Sequence, residues 1–273
     1  MTMNNEEIKW LESYKEEVSG YYAPLFDGSG IDFKDWDKLL QRFADAVDNV
    51  LSGGRQLFSA AYEAHNELCI ADAIISNPNP KFIALEYEPP LIDCAQSIDF
   101  RAIAEDESAV YVDVKTIKPS PKDRWDQFER AIKERWFPEN IEVMMSKEWL
   151  GGELWHSKFT ARSRMLKYTL ELEQKINDST FTEDNYIFAL ALCCDGFSWH
   201  HDELEDFVHY YYSGSYRFDD PLADVQSRYM DEKGLAFRQT ISRFVYVQRS
   251  WWDVQHKRIN WNVQPPTLPD FKI

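Results

Sequence analysis

The sequence predicts an α/β protein with a central mixed sheet and an N-terminal helical cap. Three observations predict it. Residues 5–76 space their apolar side chains as helices do. Apolar, β-like runs follow at 82–87, 97–103 and 109–117. Helical and strand-like stretches then alternate toward the C-terminus, the order expected when helices cover a sheet. With 44% hydrophobic residues among 273, and 10 Trp, 14 Tyr and 17 Phe, the chain can bury a substantial core.

Taken in order, residues 5–19 carry Ile8, Leu11 and Val18 at helical spacing and are expected to stop at Gly20. A loop holding Pro24, Gly28 and Gly30 follows. Residues 33–51 form a second expected helix, with Leu39, Leu40, Phe43 and Val47 on one face and Gly53-Gly54 as its breaker. Residues 55–76 read as the most apolar helix. After the three β-like runs, residues 122–135 and 156–177 return to helical spacing. Tyr186 to Cys194 (YIFALALCC) is continuously apolar, as in a strand buried on both faces. Residues 201–212 read as a helix, 219–235 as a polar loop, and 242–264 as two strands around a turn. The proline-containing end, from Pro265, reads as extended. The division expected is 1–54 as cap and 55–273 as the α/β domain, packed as one unit.

The net charge of -17 argues against a general nucleic-acid coat, since phosphate affinity needs clustered Lys and Arg. It leaves room for an enzyme with a local basic surface. Cys69, Cys94, Cys193 and Cys194 form no C-x-x-C pair, which argues against a zinc ribbon. Cys193-Cys194 read as buried strand residues. The start MTMNNEEIKW is polar, and no apolar run reaches membrane length. A reduced, cytoplasmic protein without a membrane partner is the expectation.

The chemistry centres on SIDF (97–100) and VYVDVKTI (110–117). Strand alternation sets Asp113 and Lys115 on one face, with Val112 and Val114 on the other. Asp99 lies in the preceding apolar run, and 13 residues separate it from Asp113, enough for the rest of two paired strands and the turn AEDES. Two carboxylates held together repel, and a divalent cation relieves the conflict. Oxygen ligands suit Mg²⁺. A lysine on the same face can orient the attacking water or neutralise phosphate charge. Acid-x-Lys alone is a weak signal, recurring at Glu7, Asp32, Glu173, Asp231 and Asp270. Only the Asp113 copy lies in a strongly apolar run that follows another run with a central Asp, where a charge needs a partner or a metal. A buried structural Asp–Lys pair is the competing reading.

These residues resemble the PD-(D/E)xK nuclease superfamily, with its restriction-endonuclease-like fold. The first motif reads Ile98-Asp99, without the proline, and the second Asp113-Val114-Lys115. The resemblance covers about residues 60–135 and extends toward the strand ending at Cys194. It implies Asp99 and Asp113 as ligands of Mg²⁺, with Mn²⁺ able to substitute, joined by the Val114 carbonyl, and Lys115 assisting the water. It also implies an acid on a helix before the core strands. Glu67 matches, with Glu63 one turn earlier as its competitor. A polar residue on the helix after the lysine motif would be Gln127 or Lys118. The implied activity is phosphodiester hydrolysis, in DNA rather than RNA, serving restriction, phage defence or repair, and a homodimer follows by analogy.

A substrate backbone would meet WHSKFTARSRMLKYTL (155–170), where Lys158, Arg162, Arg164 and Lys167 occur without an acid. Lys118, Lys122 and Arg124 add charge next to Lys115. Trp251, Trp252 and Trp261 are better read as packing than as base-stacking residues. In His200-His201-Asp202-Glu203, adjacent side chains diverge, so a helix start is the better reading than a chelate. Two rivals remain: a non-catalytic binding protein of nuclease fold, its acidity mimicking DNA, and an effector nuclease switched on by a partner or ligand.

Overall fold

Strand alternation normally exposes one face of a sheet, but here both faces of the central strands are apolar, so helices must cover both. The computed structural model describes residues 3–54, 58–117, 154–181, 183–194, 199–215, 227, 230–249, 254–255 and 257–264, with only the backbone at 154–160 and 163. Its elements are α1 (Asn5–Asp27), β1 (Asp32–Lys34), α2 (Trp36–Gly53), α3 (Phe58–Ile75), β2 (Phe82–Tyr87), β3 (Phe100–Ala104) and β4 (Ala109–Thr116). Then come α4 (Leu154–Asn177), β5 (Tyr186–Cys194), α5 (His201–Ser213), β6 (Arg243–Arg249) and β7 (Lys257–Asn260).

The strands form one seven-stranded sheet in chain order. β1 runs parallel to β2, and β2–β3–β4 is an antiparallel meander. β4, β5 and β6 are parallel, as connections through α4 and α5 allow. β7 closes the far edge antiparallel to β6. Val112, Val114, Ala189, Ala191, Cys193, Val245 and Val247 pack with α1, α2 and α3 on one face. Tyr111, Leu190, Leu192, Cys194, Phe244 and Tyr246 pack with α4 and α5 on the other. Cys193 and Cys194 are both fully buried and divide between the two faces, as neighbours in a strand must.

Several expectations hold: the strands at 82–87, 109–116 and 186–194, the two late strands, and the helices over 154–177 and 201–213. Others are corrected. α1 does not stop at Gly20 but runs on through Pro24 to Asp27, because Val18, Tyr22 and Phe26 continue one buried stripe. The expected loop at Pro24 is therefore helix. The second helix starts only at Trp36; residues 32–34 instead pair with β2 as an edge strand. That strand, and the core that α1 and α2 share with α3 and the sheet, join residues 3–54 to the rest. β3 begins at Phe100, so Asp99 precedes the strand rather than sitting inside it. Residues 230–232 form a helical turn within the expected loop. The expected helix at 122–135 and the C-terminal extension lie outside the described residues. Among the described residues, no helix is long and apolar enough to cross a membrane.

Leu190 lies in the middle of β5, fully buried between β4 and β6. Leu190→Ala should lower unfolding free energy by about 2–5 kcal/mol. Urea denaturation should show a lower midpoint at unchanged slope; an unaltered midpoint would contradict the packing of this face.

Candidate active site

The site forms where a ladder ends. The last β3–β4 pair on this side is Phe100↔Val112, so the next edge-facing group of β4, the Val114 N–H, has no strand opposite. The Asp99 side chain takes that place, its Oδ2 accepting from Val114 N at 2.6 Å. In a strand the N–H and C=O of one residue leave on the same side. The Val114 carbonyl therefore leaves β4 on the side of Asp99. Asp99 is also anchored through its main chain, its carbonyl accepting from the Glu88 N–H at 2.8 Å.

Asp113 and Lys115 share the opposite face of β4 from Val112 and Val114, as alternation requires. Lys115 Nζ lies 2.9 Å from Asp113 Oδ2 and 3.9 Å from Asp99 Oδ2, so one ammonium sits between the two carboxylates. Asp113 is almost fully buried, and its Oδ2 has this ion pair but no contact with hydrogen-bond geometry. Lys175 approaches from α4. Its Nζ donates to Asp113 Oδ1 at 3.0 Å and to the Ser97 carbonyl at 3.1 Å. An isolated bridge between Ile92 and Thr180, with Thr180 Oγ1 donating to Asp93 at 2.8 Å, ties the 88–99 segment to the end of α4 and keeps Ser97 within that reach.

Glu67 projects from α3 on the other side of the sheet. It belongs to a run of three buried polar residues, each sent to a different neighbour. His65 Nδ1 meets the Tyr14 hydroxyl at 2.5 Å, and Asn66 donates to Thr116 at 2.9 Å and accepts from Arg249 at 3.1 Å. Glu67 Oε2 accepts from Arg42 Nη1 at 2.6 Å and from the Tyr87 hydroxyl at 3.0 Å. Such a layer is tolerated because each member is hydrogen-bonded. Glu63 is less buried than Glu67.

The charges strain one another. Burial and the Asp113 charge push Asp99 up to about 6, against the pull of Lys115, the Val114 N–H and Lys175. Burial and the Asp99 charge hold Glu67 well above the usual carboxylate range, against Arg42, Tyr87 and Lys115. Burial alone would lower Lys115, but Asp99 and Asp113 raise it above an ordinary lysine. An all-oxygen donor set whose buried Asp113 Oδ2 meets, among the described residues, a lysine ammonium fits a hard divalent cation. Asp99, Asp113 and Glu67 are not, however, a tight three-acid cluster. Among the described residues the group whose ligand atoms all lie within 4.8 Å is His201, Asp202 and Glu205. Both ring nitrogens of His201 are engaged there, Nδ1 by Glu205 at 3.0 Å and Nε2 by Asn260 at 2.8 Å. His200 and Glu203 form the start of α5, the Glu203 carboxylate accepting the His200 N–H at 2.8 Å.

The expected substrate surface is rearranged. Arg162 is buried and faces Asp206 of α5 at 3.5 Å, so it is not on an exposed patch with Lys167. α4 turns this residue toward α5 because Ala161, Met165 and Leu172 define its buried stripe. Lys167 is exposed and pairs with Glu171 at 3.6 Å, and Arg164 is half-buried. Trp261 packs against the core. Lys118, Lys122, Arg124, Gln127, Trp251, Trp252 and the side chain of Lys158 lie outside the described residues. Sequence reasoning missed Arg42 and Lys175. Lys175 sits in the Glu173-Gln174-Lys175 copy of acid-x-Lys, where Glu173 itself is spent on Tyr211 at 2.8 Å and on the Arg238 N–H at 3.0 Å. Arg42 left no local signal. A scan against family models, a search of curated proteins and a search of solved structures each return no match to this chain.

The Asp99 shift carries a sign that can be checked. Its value in the fold, about 6, exceeds the ordinary 3.8. The stability it contributes is therefore complete below the ordinary value and lost as pH rises through about 6. With chelator present, Asp99→Asn should gain on the unmodified chain between those limits, by on the order of 2–3 kcal/mol once Asp99 is ionised. Chemical denaturation across that range measures the difference, and a pH-independent difference would remove the buried-charge account.

Proposed function

We propose that this protein is a metal-dependent nuclease hydrolysing phosphodiester bonds, DNA in preference to RNA, on a restriction-endonuclease-like sheet. The observation that carries the reading is the convergence of Asp99 and Asp113 on Lys115, at a point where β3 has ended and a main-chain carbonyl is left facing Asp99. An acid–acid–lysine set, with Asp99 just before β3, Asp113 and Lys115 on β4 and Glu67 on the preceding helix, supports the resemblance to PD-(D/E)xK nucleases.

Asp99, Asp113 and the Val114 carbonyl would hold Mg²⁺ or Mn²⁺, and Glu67 would hold a second ion or orient a water. The cation, when bound, supplies Lewis acidity at the phosphoryl group. The chain's own residues do the rest. The Val114 N–H and Lys175 hold the two aspartates in their orientations. Lys115, kept cationic by its carboxylate neighbours, donates to the attacking water or to a phosphate oxygen as negative charge builds. Restriction, phage defence and repair are the roles such an activity would serve.

One observation favours a second reading. Asp113 already meets two lysines, which would make the cluster a structural ion network in a non-catalytic binding protein.

Cleavage assays on plasmid, linear and single-stranded DNA and on RNA, with Mg²⁺, Mn²⁺ or chelator, separate the two. Metal-dependent cleavage should fall at least ~100-fold in Asp113→Ala and in Lys115→Ala. Cleavage that survives both substitutions sinks the site assignment. An inactive chain that binds no Mn²⁺ by calorimetry favours the structural network.

A further inference from the structure

The N-terminal cap contributes a cation beside Glu67. Arg42 is on α2, and its Nη1 makes both bonds that tie it down, to Glu67 Oε2 at 2.6 Å and to the Tyr87 hydroxyl at 2.6 Å. Glu88 is 3.9 Å from the same nitrogen. Among the described residues, no hydrogen bond or ion pair engages Nη2 or Nε. The guanidinium is thus fixed at one corner and open along the rest of its donor edge. The Arg42 side chain is 42% exposed, against 23% for Lys115 and 14% for Lys175. Both lysines are turned inward onto Asp113, whereas Arg42 has donors facing solvent.

Resting on the nuclease reading, we infer that Arg42 holds a phosphate oxygen of the substrate, so that the N-terminal cap completes the active site. A guanidinium with a free, planar edge is suited to a phosphodiester. In a chain of net charge -17, an anionic substrate needs a local cation that keeps donors beyond those its protein acids engage, and both acid contacts of Arg42 fall on Nη1. Arg42 is held in place by Glu67, a residue of the site itself, so substrate contact and the acid cluster are mechanically joined.

Two measurements test this. Fluorescence anisotropy would use fluorescein-labelled single-stranded DNA, duplex DNA and RNA oligonucleotides, with Ca²⁺ replacing Mg²⁺ so that binding is read without turnover. Steady-state cleavage in Mg²⁺ would run beside it. Arg42→Ala should raise Kd and KM about 10-fold or more, with a smaller change in kcat. The slope of log K against log salt should flatten by about 0.7–0.9, the share of one phosphate contact. Arg42→Lys should keep that slope, which a purely structural arginine would not require. Arg42→Gln repeats the measurement if the alanine variant does not fold. Unchanged Kd and slope in Arg42→Ala or Arg42→Gln, with Asp113→Ala still abolishing cleavage, overturn the inference and leave the nuclease reading standing. Faster cleavage or tighter Mn²⁺ binding by Arg42→Ala would make Arg42 an inhibitory plug and overturn it as well. An unmodified chain that neither binds nor cleaves any of the oligonucleotides takes down both.

Discussion

A single hydrogen bond, from the Val114 N–H to the Asp99 carboxylate, sets the terms for the rest of the site. It substitutes a side chain for a strand at the point where the β3–β4 ladder stops. Without it, a main-chain donor near the middle of the sheet would face no partner, and that is costly when buried. With it, a carboxylate is pinned beside Asp113 despite their mutual repulsion. Lys115 and Lys175 then follow as compensation, one from the same strand and one from α4. The ladder defect and the charge cluster are the same feature seen from the main chain and from the side chains.

The second organising element is α3. From Ala64 to Ile74 its residues are buried all round, facing the sheet on one side and α1 and α2 on the other, so this stretch has no solvated face on which to leave polar groups. His65, Asn66 and Glu67 are each matched by a partner from a different element. Through Glu67 and Arg42 this layer links the N-terminal helix α2 to the surroundings of Asp99 and Asp113. The cap is part of the core and of the site's surroundings, not an appendage.

How much of this was legible in the sequence depends on the range of each interaction. β4 and β5 could be read because alternation and continuous apolarity are properties of neighbouring residues. The common face of Asp113 and Lys115 followed from the same periodicity. α1 was misread at Gly20 and Pro24 because local breaker signals were outweighed by a buried stripe that continues through Tyr22 and Phe26. Arg162 was misread as surface because a basic run shows its composition but not which residues turn toward α5. Lys175 and Arg42 were not singled out at all. Each lies far along the chain from the acid it touches.

The sequence by itself determined the α/β class, the central strands β4 and β5, and the pairing of an acid with a lysine on one face, since these depend on side-chain periodicity and the hydrophobic effect. Only the tertiary structure decided which charges meet. Electrostatic partners are chosen through space, after helices have docked and a ladder has ended. So the convergence of Asp99 on Asp113, the reach of Lys175, and the hold of Arg42 on Glu67 exist only in the folded chain.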